Sequence, residues 1–241
     1  MGSNEGFYTA TNMYGAYCVP ASSAYTYTSR TILAGKVHEP KTIKYIIDHC
    51  KNRDIIHAGA GFGDFLPALS KNCSGQIFSF EPNNENYACA QKTVELNGLR
   101  NVRLFNSGLG EKKSVKYLKI TEGGLSLGPR TETTSEPSLK DGLQECEIYA
   151  LDDVIENPNV SIIHLDTEGY EFNILKGAKN IIDRCKPLII LEIDSRALYY
   201  NEFMHSIGYT PKKQLIYNAR KMVFVNTVYS YNKKITPLRQ P

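Results

Sequence analysis

The sequence predicts an α/β fold: a mostly parallel twisted sheet with helices on both faces and an antiparallel strand pair at its C-terminal end. Three observations carry this. Through the centre of the chain, short apolar runs alternate with segments of helical periodicity, which is how a doubly wound sheet reads. The run Ile55 to Phe65, IIHAGAGFGDF, sets three glycines at alternate positions between an apolar strand and a helix start. Such a turn exposes its backbone and lets a nucleotide-like ligand approach the main chain. Near the end of the chain, Tyr209 to Tyr217 and Met222 to Tyr229 flank the polar turn Asn218-Ala219-Arg220 and read as two paired strands closing the sheet.

In order along the chain, residues 1–35 form a Tyr-rich N-terminal arm or lid with little periodicity, irregular in outline but too aromatic for a disordered tail. Residues 36–241 form one domain, because 241 residues suffice for one large core. Pro40 to Cys50 is a helix with Ile43, Ile46 and Ile47 on one face. Asp54 to Ala58 is the first central strand, and Asp64 to Lys71 a helix that Asp64 is placed to cap. Gln76 to Phe80 is the second strand, and residues 84–97 a helix stopped by Asn97-Gly98. Val102 to Phe105 is the third strand. Periodicity weakens between Glu111 and Glu147, where a strand at Val115 to Ile120 leads into the loop TEGGLSLGPRTETTSEPS. Ser161 to Leu165, a helix from Glu171 to Ala178, the strand Pro187 to Ile193 and a helix from Ser195 to Ile207 complete the alternation.

Composition removes several function classes. With 28 basic and 25 acidic residues the net charge is +3, too small a surplus to mark a nucleic-acid groove or an anionic membrane surface. Six cysteines lack CxxC spacing and read as reduced thiols of a cytoplasmic protein, with neither a disulfide frame nor a zinc site. No apolar run reaches the length of a membrane span.

Ligands of a doubly wound sheet bind at the carboxyl ends of its strands. The polar residues there are the glycine turn (Gly59, Ala60, Gly61, Gly63, Asp64), Glu81-Pro82, Asn106-Ser107, and Asp166 to Glu168. Glu81 ends the second strand, where a carboxylate can accept from both ribose hydroxyls. GxGxG followed by an acid departs from the GxGxxG that seats a pyrophosphate. A carboxylate beside the turn suits a ligand bearing an ammonium and a sulfonium, as S-adenosylmethionine does, and this favours methyl transfer over hydride transfer.

The segments HEPKTI, IIHAGAGFGDF, FSFEPNNENYACAQKTVELNG, NSGLGE and IIHLDTEGYEFNILKGA together resemble the FkbM family of S-adenosylmethionine-dependent methyltransferases, over residues 36–194. The resemblance implies a class I, Rossmann-like methyltransferase fold, with cofactor contacts from the glycine turn, Glu81 and the loop at Asn106-Ser107. It places Glu39 near the cofactor's amino-acid end, and it implies methylation of a hydroxyl on a sugar, a polyketide or a related small molecule. His57 stands where the family usually has aspartate, and His164 where lysine is common; each reads as a satisfied histidine at a strand end.

A hydroxyl becomes a nucleophile when a base takes its proton. Asp166 is read as lying near the reacting centre and Glu168 as base or acceptor clamp, against the plainer reading that Glu168 and Glu171 cap the next helix. The pair can also hold a divalent cation, although nothing in the sequence demands a metal. Glu192, alone in PLIILEID, must face the cleft or meet a cation. The acceptor reads as a small molecule or glycan, with a sugar hydroxyl favoured, and the Tyr-rich arm suits sugar stacking. RNA is the alternative, disfavoured by the absence of an NPPY-type motif and of a basic block; loss of catalysis is hinted at only by His57 and His164. No feature fixes the oligomeric state.

Overall fold

The computed structural model describes residues 6–120, 126–127, 143–167, 169–193, 198–219 and 222–234. The arm is regular structure, contrary to its irregular composition. Strand β1 (Phe7–Asn12) pairs antiparallel with β2 (Gly15–Pro20), and helix α1 (Tyr27–Leu33) follows. Asn12 shapes the hairpin turn: its Oδ1 accepts from the Tyr14 N–H at 2.9 Å and the Tyr17 hydroxyl at 3.0 Å, the side-chain-to-backbone bond that makes asparagine a turn former.

Helix α2 (Pro40–His49), strand β3 (Asp54–Ala58), helix α3 (Leu66–Asn72), strand β4 (Ile77–Phe80), helix α4 (Asn84–Asn97) and strand β5 (Val102–Phe105) follow the sequence expectation closely. Gly98 ends α4 in the left-handed conformation, φ 58°. The next stretch departs from expectation. Strands β6 (Gly108–Leu109), β7 (Ser114–Ile120), β8 (Ser126–Leu127) and β9 (Leu143–Tyr149) form a second sheet in the order β6-β9-β7-β8. In β9, Cys146 and Ile148 are buried while Glu145 and Glu147 are exposed, so its alternation is that of a strand with one covered face. Of the expected loop, only Ser126 and Leu127 fall within the described residues, and they pair with β7.

Helix α5 (Leu151–Val154) and strand β10 (Val160–Leu165) come next. Helix α6 (Glu171–Lys176) falls within its expected bounds, and a second short helix, α7 (Lys179–Cys185), follows it unanticipated. The break falls at Gly177, where a Cβ would sit 2.0 Å from the Gly110 carbonyl oxygen, so the chain approaches that backbone too closely for a side chain. Strand β11 (Leu188–Leu191), helix α8 (Leu198–Ser206) and strands β12 (Tyr209–Ala219) and β13 (Met222–Tyr231) close the chain. The start expected for α8 at Ser195 lies outside the described residues.

The main sheet has the order β12-β13-β11-β10-β3-β4-β5. β13 is antiparallel to both β11 and β12, so β12 runs with the rest; the C-terminal pair does not simply append to the edge but inserts its second strand. Alternate residues of the central strands face opposite layers. Ile55 and Ile162 pack with Ile43, Ile46, Leu66 and Leu69 of α2 and α3, whereas Ile56 and Ile163 pack with Ile174, Ile181 and Met204 of α6, α7 and α8. Each such fully buried side chain contributes about 2 kcal/mol. Strand order reverses between β3 and β10, which makes the crevice above their carboxyl ends the natural ligand site.

The hairpin is fastened to α4. Thr93 Oγ1 accepts from the Cys18 N–H and donates to the Phe62 carbonyl, both at 3.0 Å, and Asn97 brackets the Ala16 backbone from both sides. All six cysteines are free thiols. Among the described residues no helix is long and apolar enough to cross a membrane.

Candidate active site

The site is built on the turn after β3. Gly59 (φ 83°) lies against the Asp166 backbone, where a Cβ would come within 1.7 Å of the Asp166 carbonyl oxygen. The turns after β3 and β10 therefore touch only because residue 59 has no side chain. Gly61 (φ 52°) has a different reason: a Cβ there would meet only the Asp64 carboxylate, at 3.9 Å, so its main chain borders open space that a ligand can enter. Gly63 packs on α4, and Ala60 is buried; both shape the turn and neither lines the cleft.

A cavity of about 170 Å³ opens over this turn. Its floor is Gly59, Gly61, Phe62, Asp64 and Phe65, with His57 and Asp166 at the strand ends and Asn86 from α4. Its other wall comes from the N-terminal segment: Ser23, Thr26, Thr28 and Ser29, with His38 beside them. No spacing or motif in the sequence points to these hydroxyl residues, and His38 is present there only as the first residue of HEPKTI, without a role.

Glu81 is 5% exposed and holds the glycine turn, Oε2 accepting from the Gly61 N–H at 2.7 Å and Oε1 from the Asn83 N–H at 2.9 Å. Burial raises its carboxyl to about 7, against the opposing effect of those two bonds. Asp64 does not cap α3, whose first residue follows Phe65 with no side-chain cap. Instead its Oδ2 accepts from His38 Nδ1 at 2.9 Å. On the far side of the ring, His38 Nε2 is 3.3 Å from the Thr28 hydroxyl. Burial works against the His38 imidazolium, yet the bond to Asp64 and the charges of Asp64, Glu39 and Glu192 together raise its pKa. Glu192 thus acts on the His38 ring through its charge.

Glu39 stands at the mouth of α2 in the left-handed conformation (φ 43°), buried, with its Oε2 accepting from Asn226 Nδ2 at 2.7 Å. It does not line the cavity. Burial raises its pKa. Pro82, Asn106 and Ser107 also lie away from the cavity lining. Asn106 donates to the Asn84 side chain at 2.7 Å, Ser107 is buried, and the Pro82 carbonyl accepts from Gln144 at 2.6 Å.

The two histidines differ from each other. His57 is bonded through Nδ1 to Ser79 Oγ at 3.1 Å and stacks on Phe65 and on His164, centroids 5.2 and 5.1 Å away. Burial lowers its pKa to about 4. His164 departs from the satisfied histidine expected: the Asn226 side chain lies against it and supports a ring proton, yet neither ring nitrogen nor the Asn226 Oδ1 reaches a partner with good hydrogen-bond geometry. Burial and the neighbouring His57 hold it well below the ordinary range.

Asp166 lines the cavity, whereas Glu168 lies outside the described residues. Glu171 organises the turn between them. Its Oε1 accepts from the Thr167 N–H, the Thr167 hydroxyl and the Gly169 N–H, and its Oε2 from Tyr200. Glu171 thus ties down the turn ahead of α6, while α6 itself has no side-chain cap, so the capping reading of the acidic run is not met at Glu171. Among the described residues no group of three or more His, Cys, Asp or Glu is placed to hold a metal ion.

Comparison with known proteins gives this geometry a context. The family described as "Methyltransferase FkbM domain" matches residues 57–211, a span that begins at His57 and leaves out Glu39. A protein of Jannaschia sp. (strain CCS1) named "Putative methyltransferase" is 25% identical over 158 residues, 60% of this chain and 57% of its own length. Among solved structures, the FkbM methyltransferase of Methylobacillus flagellatus KT superposes with a TM-score of 0.52 at 18% identity, covering 74% of this chain and 43% of that one. M. jannaschii TYW2, solved with AdoMet, gives 0.52 at 13% identity over 96% and 90% of the two chains. The Pyrococcus abyssi tRNA (uracil-54, C5)-methyltransferase, solved with S-adenosyl-L-homocysteine, gives 0.56 at 12% identity over 94% and 45%. The chain therefore spans little more than half of the curated relative and less than half of the FkbM structure.

Proposed function

Since the chain belongs to the FkbM methyltransferase family and has the class I methyltransferase fold, we propose that it transfers a methyl group from S-adenosylmethionine to a hydroxyl of a sugar, free, nucleotide-linked or within a glycan. The observation that carries the donor assignment is that Asp64 and Asp166 line a cavity over a glycine turn whose backbone at Gly61 borders open space, with Glu81 buried behind the turn and tied to it through the Gly61 N–H. Such a surface suits a cationic ligand better than a pyrophosphate. When bound, the donor supplies a methyl group made electrophilic by its sulfonium. Glu81, with Asn86 beside it, would take the ribose hydroxyls. The second oxygen of Asp64, next to Gly61, would face the ammonium. Asp166 would stand at the reacting end, with Glu168 as clamp on the acceptor. Glu39, behind this surface, would act on the methionine end through its charge, and Pro82, Asn106 and Ser107 would border the base once a ligand opens that side.

Support for a sugar comes from the wall opposite. Four hydroxyl-bearing residues, Ser23, Thr26, Thr28 and Ser29, line it. Tyr25 and Tyr27 on the same segment are exposed, at 59% and 46%. Hydroxyls for hydrogen bonding beside aromatic faces suit a polyhydroxylated ring. On this reading residues 1–35 are a lid as well as a wall. The test is a screen of nucleotide sugars and glycan fragments with methyl-labelled S-adenosylmethionine, paired with calorimetry on Glu81→Ala. That variant should lose measurable cofactor binding, and unchanged affinity sinks the donor assignment. The second reading is RNA, because one fold relative acts on tRNA. The net charge of +3 speaks against it, and tight, salt-dependent binding of tRNA would restore it.

A further inference from the structure

We propose that His38 is the general base of the transfer, held in place by Asp64, and that the Thr28 hydroxyl marks the position an acceptor oxygen takes. This rests on the methyl-transfer reading and assigns a role that the reading leaves open. The three groups form a hydroxyl–imidazole–carboxylate series on one cavity wall: Thr28 Oγ1 to His38 Nε2 at 3.3 Å, and His38 Nδ1 to Asp64 Oδ2 at 2.9 Å. Asp64 as a carboxylate accepts only, so the ring proton sits on Nδ1 and the lone pair of Nε2 points at the hydroxyl. That order of groups is the one by which proteins take a proton from an alcohol.

The contact to Thr28 is the longer of the two, and an acceptor hydroxyl can displace it without loss of the Asp64 bond. Gly61 and Asp166, assigned to the donor and the reacting end, line the same cavity. In the step, the acceptor O–H bond breaks and its proton passes to Nε2. The freed electron pair forms the bond to the methyl carbon, and the pair of the old carbon–sulfur bond stays on sulfur. The resulting imidazolium is held by Asp64.

The surroundings favour His38 over its neighbours for this task. The groups facing it are Asp64 from the glycine turn, Glu39 from the start of α2, Glu192 from the end of β11, and Tyr27 and Thr28 from α1, Tyr27 with its ring edge-on at 5.9 Å. Three carboxylates thus support the proton that the ring would accept. His57, which also lines the cavity, has its Nδ1 bonded to Ser79 and sits in the apolar stack with Phe65 and His164, where burial outweighs the charge of Asp64.

Two readouts test this. The first needs no acceptor: the His38 ring is titrated by nitrogen-15 NMR, assigned through His38→Gln, in protein saturated with S-adenosylhomocysteine or with S-adenosylmethionine. The expected result is an Nδ1–H tautomer whose pKa is roughly one unit lower beside the charged sulfonium than beside the neutral thioether. An Nε2–H tautomer, or the same titration in both complexes, overturns the proposal. The second is methyl transfer to a panel of uridine diphosphate sugars. His38→Gln should lower kcat roughly 10²- to 10⁴-fold and abolish the acid limb of the pH profile, with S-adenosylmethionine affinity kept within about threefold. A variant with near-wild-type kcat and an unchanged acid limb overturns it. Failure of the wild-type protein to bind S-adenosylmethionine would instead sink the methyl-transfer reading. Binding without turnover on this panel rejects the sugar class alone, and the NMR titration then decides on His38.

Discussion

His57 and Glu81 give the fold two opposite dependences on pH that cancel in the native chain and appear singly when either is replaced. The folded protein holds His57 at about 4, against 6.5 for the free side chain, so between those values the unfolded chain carries a proton that the native state lacks. Stability then rises with pH, is complete above 6.5, and is lost as pH falls toward 4. Glu81 has the reverse sign. It is held at about 7 against 4.5, so its contribution is fully present below 4.5 and is lost as pH rises through 7. Integrated from pH 4.5 to 6.5, each group changes stability by about 2 kcal/mol, in opposite directions. The assay is urea unfolding at pH 4.5, 5.5 and 6.5 of the wild type, His57→Asn and Glu81→Gln. Asn keeps a polar partner for Ser79 without titrating. Gln leaves one backbone N–H facing an amide, a constant cost that does not affect slope. Relative to wild type, His57→Asn should lose about 2 kcal/mol between pH 4.5 and 6.5 and Glu81→Gln should gain as much. Curves that stay parallel to wild type would refute the burial argument for that residue.

Other consequences follow from the same contacts. Because a carboxylate, not a carboxylic acid, accepts from ribose hydroxyls, S-adenosylmethionine affinity should fall by up to about tenfold per pH unit below pH 7. Calorimetry across pH should show this dependence in wild type, and its persistence in Glu81→Gln would assign it elsewhere. Glu171→Ala leaves three donors of the Asp166 turn unpaired. It should cost about 2–4 kcal/mol in denaturant unfolding, and transfer activity should drop more than cofactor affinity does. Thr93→Val removes the bridge between Cys18 and Phe62, both buried. About 2 kcal/mol of stability should go with it, and hydrogen exchange should quicken in β1 and β2.

Legibility of the fold tracked how local its causes are. β3 and β5 match their expected bounds because each is an apolar run flanked by turn residues, and α4 matches because Gly98 ends it with a conformation that needs no partner. The second sheet escaped because its strands are short and its buried residues few; the alternation of Glu145, Cys146, Glu147 and Ile148 was in the sequence, masked by the polar loop before it. The hairpin of the arm escaped for another reason. Its apolar face is matched to α4, some 70 residues further on, so its periodicity has no meaning until that partner is in place.

The site divides along the same line. Gly59, Gly61, Asp64, Glu81 and Asp166 could be picked out because each sits at a strand end, where topology alone makes a cleft. What these residues do was less legible, since roles depend on partners brought from elsewhere. Asp64 reads as a cap from its neighbours in sequence, yet the fold hands it His38, 26 residues earlier. His38 opens the HEPKTI segment, but nothing in that segment marks its ring for a role; on the general-base proposal it gains one through α1, which sets Thr28 against its far nitrogen, and through Glu39 and Glu192, which supply charge. On the His38 proposal the arm is part of the chemistry as well as of the wall. A chain lacking α1 would keep the glycine turn and Glu81, and with them the means to bind a donor, but would lose the surface on which an acceptor hydroxyl can meet a base.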